Sequence, residues 1–112
     1  MGNNVRQLFM HFHDAAQAVA DGKELNVNAN MVMATIAVTG TGVGFTLIVE
    51  GKSHDTDDWT PISVCNYNTL DISPNITANG KYQVSLEAFT KIRTRLAAIG
   101  GGAVTSIATI VN

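Results

Sequence analysis

Charge is scarce in this sequence. Only 14% of its 112 residues are Asp, Glu, Lys or Arg, against roughly 25% in an ordinary soluble protein. Seven Lys and Arg against nine Asp and Glu leave a formal net charge of -2 and an isoelectric point near 5.8. A protein that neutralises nucleic-acid phosphates needs the opposite balance, so no nucleic-acid partner is expected. A mean hydropathy of +0.14 argues against disorder, which needs low hydrophobicity and high net charge. Cysteine is nearly missing too. With Cys65 alone, no internal disulfide and no multi-cysteine metal cluster can form, and folding in a reducing cytoplasm is expected. The start of the chain lacks the basic and apolar regions of a signal peptide, and Arg6 stands where a myristoylation pattern requires Ser or Thr. Apolar runs such as Met31 to Val38 fall well short of the ~20 residues of a membrane-crossing helix, so a soluble protein without a membrane partner is expected.

What is present is a beat of short β-branched runs separated by turn formers. The expected strands are Met31 to Thr39, Gly44 to Gly51, Trp59 to Cys65, Lys81 to Leu86, Lys91 to Ala98 and Val104 to Val111. Gly40-Thr41-Gly42, Ser53 to Asp58, Ser73-Pro74-Asn75, Asn79-Gly80 and Gly100 to Gly102 punctuate them. Period-two alternation puts Tyr82, Val84 and Leu86 on one face, and Ile92, Thr94 and Leu96 opposite Arg93 and Arg95. The fold class is therefore all-β: a single antiparallel β-sandwich, jelly-roll or Ig-like, over residues 26–112. Residues 1–25 form an apolar N-terminal arm, either extended, as Leu8, Met10 and Phe12 alternate, or a short helix favoured by the alanines that follow. The last strand carries no charge, and is expected to be covered on both faces or to pair with another chain.

Candidate chemistry is thin. In an extended segment His11 and His13 face the same way, as a metal pair requires, but no further ligands are marked by spacing. The acidic turn Asp55-Thr56-Asp57-Asp58 lacks the order of a calcium loop, and Asp55 and Asp58 are expected to close a turn by accepting backbone N–H bonds. Cys65 sits in an apolar strand, as a small buried hydrophobe does. Nucleophile elbows, phosphate-cradling loops and His-Glu-x-x-His helices are all missing. No catalytic residue, cofactor or metal is therefore expected. Trp59, Tyr67 and Tyr82 together would make a sugar-stacking platform if exposed; Trp59 and Tyr82 are more simply core residues whose polar tips reach the rim.

The segment Phe45 to Ile62 has an apolar strand ending in Glu50, then Ser53-x-Asp55, a polar turn, and Trp59-Thr60-Pro61-Ile62. The second half continues with Gly80-Lys81-Tyr82, Ile92-Arg93-Thr94-Arg95 and a Thr/Val-rich end after Gly100. From about Val32 to Val111 the chain resembles small bacteriophage virion structural proteins of the β-sandwich type, with departures in the turns at Thr56 and Ala88. The resemblance implies a non-enzymatic capsid decoration or stabilising protein on the major capsid shell or other virion proteins. It would be made in the host cytoplasm, placed on the capsid surface, and form a homo-oligomer, a trimer being one form. The alternative is a tail or capsid-surface module that recognises host glycans. Interface cores are poor in charge, so the expected contacts are Leu8, Phe9, Met10 and Phe12 of the arm and Ile107 and Ile110 of the last strand, with Arg93 and Arg95 either paired with a neighbour's carboxylates or standing on a solvated strand face.

Overall fold

The computed structural model describes residues 7–28 and 30–111, and for residues 7, 8 and 111 only the backbone. The described residues form eleven strands and no helix: β1 (Gln7–Ala16), β2 (Ala20–Asp21), β3 (Leu25–Asn26), β4 (Met33–Gly40), β5 (Thr46–Lys52), β6 (Thr60–Pro61), β7 (Val64–Asn66), β8 (Ile72–Ser73), β9 (Gly80–Ser85), β10 (Lys91–Ala98) and β11 (Val104–Val111). They pair antiparallel in two sheets. The larger has the order β1-β11-β4-β9-β7-β8; the smaller has the order β2-β10-β5-β6, with β3 also on β10. The expected β-sandwich is present.

Alternation explains which side of each strand is dry. Ala34, Ile36 and Val38 of β4, Tyr82 and Val84 of β9, and Val104, Ala108 and Ile110 of β11 are buried. They meet Leu47 and Val49 of β5 and Ile92 and Leu96 of β10, with Phe45, Ile76 and Leu86 closing the ends. Each such aliphatic side chain contributes roughly 1.5–3 kcal/mol by leaving water, and together they hold the two sheets face to face.

The amino-terminal segment is extended. β1 lies along β11, from Gln7 opposite Val111 to Ala16 opposite Val104. Two irregularities interrupt this ladder, between His11 and His13 and between His13 and Ala16. Ala15 takes a φ of 52° there, and its N–H donates to Thr105 Oγ1 at 2.9 Å. The first bulge alters the expected pattern: Phe12 and His13 are both buried while His11 stays exposed, so the two histidines do not share a face. The chain then crosses to the smaller sheet. Gly22 N–H donates to Thr94 O at 2.7 Å and Lys23 N–H to Phe12 O at 3.0 Å. A Cβ on Gly22 would lie 2.7 Å from Thr94 O and 2.8 Å from Phe12 O, so the crossing needs glycine. Residues of the 1–25 segment thereby contribute strands to both sheets; residues 1–6 lie outside the described residues.

Two further expectations change. Trp59 to Cys65 is not one strand: Thr60 and Pro61 pair with Gly51 and Glu50 in the smaller sheet, whereas Cys65 and Asn66 pair with Gln83 and Tyr82 in the larger. Pro61, without an N–H, fits the edge position it occupies. Nor does β11 offer a free edge, because β1 and β4 flank it.

Candidate interaction surface

The outward faces of the two sheets differ in charge. On the smaller sheet, Arg93 stands directly opposite Glu50 on neighbouring strands. Glu50 Oε1 accepts from Arg93 Nε at 3.1 Å and lies 3.0 Å from Nη2; Oε2 accepts from Arg95 Nε at 3.1 Å. Arg93 also reaches Asp21 at 3.4 Å, and its guanidinium lies 4.1 Å from the centroid of the Trp59 ring. Lys52 Nζ sits 5.1 Å from that centroid, and Lys91 lies within 4 Å of Glu24 and Asp55. Two arginines thus meet two carboxylates, and the face is neutralised within the chain. The arginines were expected to seek a neighbour's carboxylates or to stand on a solvated face; Glu50 and Asp21 satisfy them instead, because β5 and β2 flank β10. Trp59, expected in the core, packs on this outer face among cations. The missed partner was Glu50, and only the strand register reveals it.

The larger sheet presents the opposite surface. Register places Phe9, Thr109, Thr35, Gln83, Cys65 and Ile72 in one row across the sheet. A second row runs His11, Ile107, Ala37 and Lys81. Lys81 carries the only full charge in these two rows, and Phe9 and Ile72 are 63% and 74% exposed. Against β9, a groove of about 730 Å³ opens between Thr35, Ala37, Thr109, Gly80, Lys81, Tyr67 and Asn68.

The expected contact residues divide accordingly. Phe9 stands exposed and Ile107 half-buried on the larger sheet's outer face. Phe12 and Ile110 lie in the chain's own core, and Met10 packs against that core; ordinary alternation along β1 and β11 points these side chains inward. Leu8's side chain lies outside the described residues.

The other candidates resolve into structural parts. His13 Nε2–H donates to Ala20 O at 3.1 Å, since a carbonyl can only accept. Nδ1 lies 2.8 Å from Thr94 Oγ1 and 3.3 Å from Ser106 Oγ, and Thr94 Oγ1 in turn lies 2.9 Å from Ser106 Oγ. Thr94 and Ser106 have no exposed surface. This polar chain ties the two sheets together inside the core and has no access for a substrate. Tyr82 is buried as expected, its O–H donating to Ala78 O at 2.8 Å; burial raises its pKa. In the acidic turn it is Asp57 that accepts, from Ser53 N–H at 3.0 Å and Asp58 N–H at 2.9 Å, and not Asp55 or Asp58. The Ser53 bond, above all, holds Asp57 below the ordinary carboxylate pKa. Cys65 is half-buried. No group of three or more His, Cys, Asp or Glu is placed to hold a metal among the described residues.

A two-sheet antiparallel sandwich with one ion-paired and one neutral outer face defines the class of protein: a compact module whose distinctive feature is a broad surface. The chain belongs to the XepA family, whose model matches residues 6–109. Two solved structures share the fold. The SPBc2 prophage-derived protein YomS superposes with a TM-score of 0.88 at 16% identity, over 100% of this chain and 98% of that one. The PBSX exported protein XepA superposes with a TM-score of 0.90 at 18% identity, over 100% of this chain and 40% of that one. The chain thus spans less than half the length of that second protein. No curated protein matches. One of these two proteins is named as prophage-derived and the other as a PBSX exported protein, and at 16% and 18% identity they show that the fold is shared.

Proposed function

We propose that this chain is a non-enzymatic structural protein of a phage particle. It docks through the outer face of its larger sheet on other virion proteins, most simply the major capsid shell, as a decoration or stabilising subunit. One observation carries this reading: the two rows across that sheet hold a single full charge, while the other sheet neutralises its own. Apolar, weakly charged surface desolvates cheaply, as interface cores require, and repeated copies on a shell add their affinities. Phe9, His11 and Ile107, on the β1 and β11 side, form the centre of the docking patch. A homo-oligomer, a trimer among the possible forms, extends the same surface.

The test is co-sedimentation of purified protein with phage shells lacking it, together with mass spectrometry of intact particles. Wild-type protein pellets with shells, and the Phe9→Asp/Ile107→Lys pair stays in the supernatant while remaining folded. Recovery of the protein only outside particles, with no shell binding, refutes the reading. The name of the PBSX relative, an exported protein, makes the culture supernatant the fraction to assay alongside.

A further inference from the structure

We propose that the groove on the larger sheet's outer face, which runs from Thr109 of β11 across β4 to β9 and Tyr67, is a binding site for a saccharide that bears a negative charge. This goes beyond docking and does not depend on it. The groove has the parts that a sugar ring needs. Ala37 and Gly80 are among its lining residues, and their small size leaves room above the paired strands β4 and β9. Tyr67, 53% exposed, supplies an aromatic wall on which the C–H face of a pyranose can stack while the phenol remains at the wet rim. Its position is held by the backbone: Tyr67 N–H donates to Lys81 O at 2.9 Å, and Leu70 N–H to Asn66 O at 2.8 Å. Asn66 Oδ1 accepts from the N–H groups of Asn68 and Thr69, which fixes the turn that carries Asn68 into the groove.

The polar groups around this wall are unspent. Among the described residues, no hydrogen bond or ion pair engages the side-chain amide of Asn68, the hydroxyls of Thr35 and Thr109, or the ammonium of Lys81. An amide offers donors and an acceptor, and each hydroxyl offers both, the mixture that ring hydroxyls require. The volume of about 730 Å³ lies within the range of small-ligand sites. Lys81 selects the charge. On a face with no carboxylate in its two rows, an unpaired ammonium favours a ligand bearing a carboxylate or phosphate over a neutral one. Trp59, at the surface of the smaller sheet, takes no part, since its ring is occupied by Arg93.

The experiment is saturation-transfer NMR and titration with an acidic trisaccharide, trigalacturonate, and its neutral counterpart, galactotriose. Glucose 6-phosphate serves as a phosphate-bearing probe that separates the two sources of charge. The acidic trisaccharide binds wild-type protein about threefold to fivefold more tightly than the neutral one, the range of one exposed ion pair. Lys81→Gln erases that preference. Tyr67→Ala weakens both sugars by about tenfold or more, with the circular dichroism of the fold unchanged; Tyr67→Phe retains most of the affinity. Absence of binding by all three probes, equal binding of charged and neutral sugar by wild-type protein, or full binding by Tyr67→Ala overturns the proposal. Because these measurements use free protein and no shells, their failure leaves the docking test untouched.

Discussion

Glu50 is the residue whose removal tests the architecture of the charged face most directly. Its carboxylate is 7% exposed, against 14% for Arg93 and 36% for Arg95. Breaking a buried ion pair by deleting one partner costs about 3–5 kcal/mol, because the other charge stays buried alone. Two features reduce that here. Arg95 is exposed enough for its share to fall to about 0–1 kcal/mol, and Arg93 retains Asp21 at 3.4 Å and the Trp59 ring. Glu50→Ala should therefore cost about 3 kcal/mol, and Glu50→Gln, which keeps one acceptor oxygen, about 2 kcal/mol. Against a total stability of about 5–15 kcal/mol, either is a large fraction, and Tm should fall by roughly 8–12 °C.

Urea unfolding followed by fluorescence is the assay, since the protein's single tryptophan lies over Arg93 and reports the same site. The double variant Glu50→Leu/Arg93→Met should recover much of the loss, because it removes both buried charges at once. A Glu50→Gln protein within about 0.5 kcal/mol of wild type, with unchanged Trp59 fluorescence, would refute the claim that Glu50 anchors this face.

Three other perturbations follow from the packing. Thr94→Val removes the shorter of the two hydroxyl contacts of His13 Nδ1, leaving Ser106 Oγ at 3.3 Å, and should cost about 1–2 kcal/mol by thermal unfolding; an unaltered Tm would mean that the Thr94 hydroxyl contributes nothing to the link between the sheets. Gly102 has a φ of +75°, and a Cβ there would collide with Thr41 O, whereas Gly44 at +58° has no neighbour closer than 3.8 Å. Gly102→Ala should thus lose about 2–4 kcal/mol and Gly44→Ala only about 1–2 kcal/mol, an order that chemical denaturation checks. Asp57, with its pKa lowered chiefly by the Ser53 N–H, stabilises the fold above the ordinary carboxylate pKa, and that contribution is lost as pH falls through its lowered value. Asp57→Asn should flatten the acid limb of a stability-against-pH profile; an identical limb in both proteins would remove Asp57 from the account.

The parts of this fold that were legible in the residues are those governed by the strand's period of two. Tyr82 and Val84, and Ile92, Thr94 and Leu96, are buried on the faces that alternation assigns, because side-chain direction along a regular strand is a local property. Alternation misled at the bulge in β1, where one inserted residue turned His13 inward and left His11 outside. It misled again between Trp59 and Cys65, where a run of strand-formers is divided between two sheets. The candidate surface was only half visible. Low charge marked a chain suited to being covered, and Phe9 was singled out, but Tyr67 and Lys81 come together in the groove only through the pairing of β7 with β9.

By itself, then, the sequence determined the all-β class, the turns and the inward faces of the regular strands, since these follow from spacing and from the backbone preferences of individual residues. It also determined how little charge there is. Where that charge goes was decided by tertiary structure. Glu50 and Arg93 are 43 residues apart in the chain and become partners through the register of β5 against β10, and that register gathers the charge of the smaller sheet into a closed network. The larger sheet is left nearly neutral for the complementary reason: strands distant in sequence align their threonines, alanine and aliphatics in the same rows.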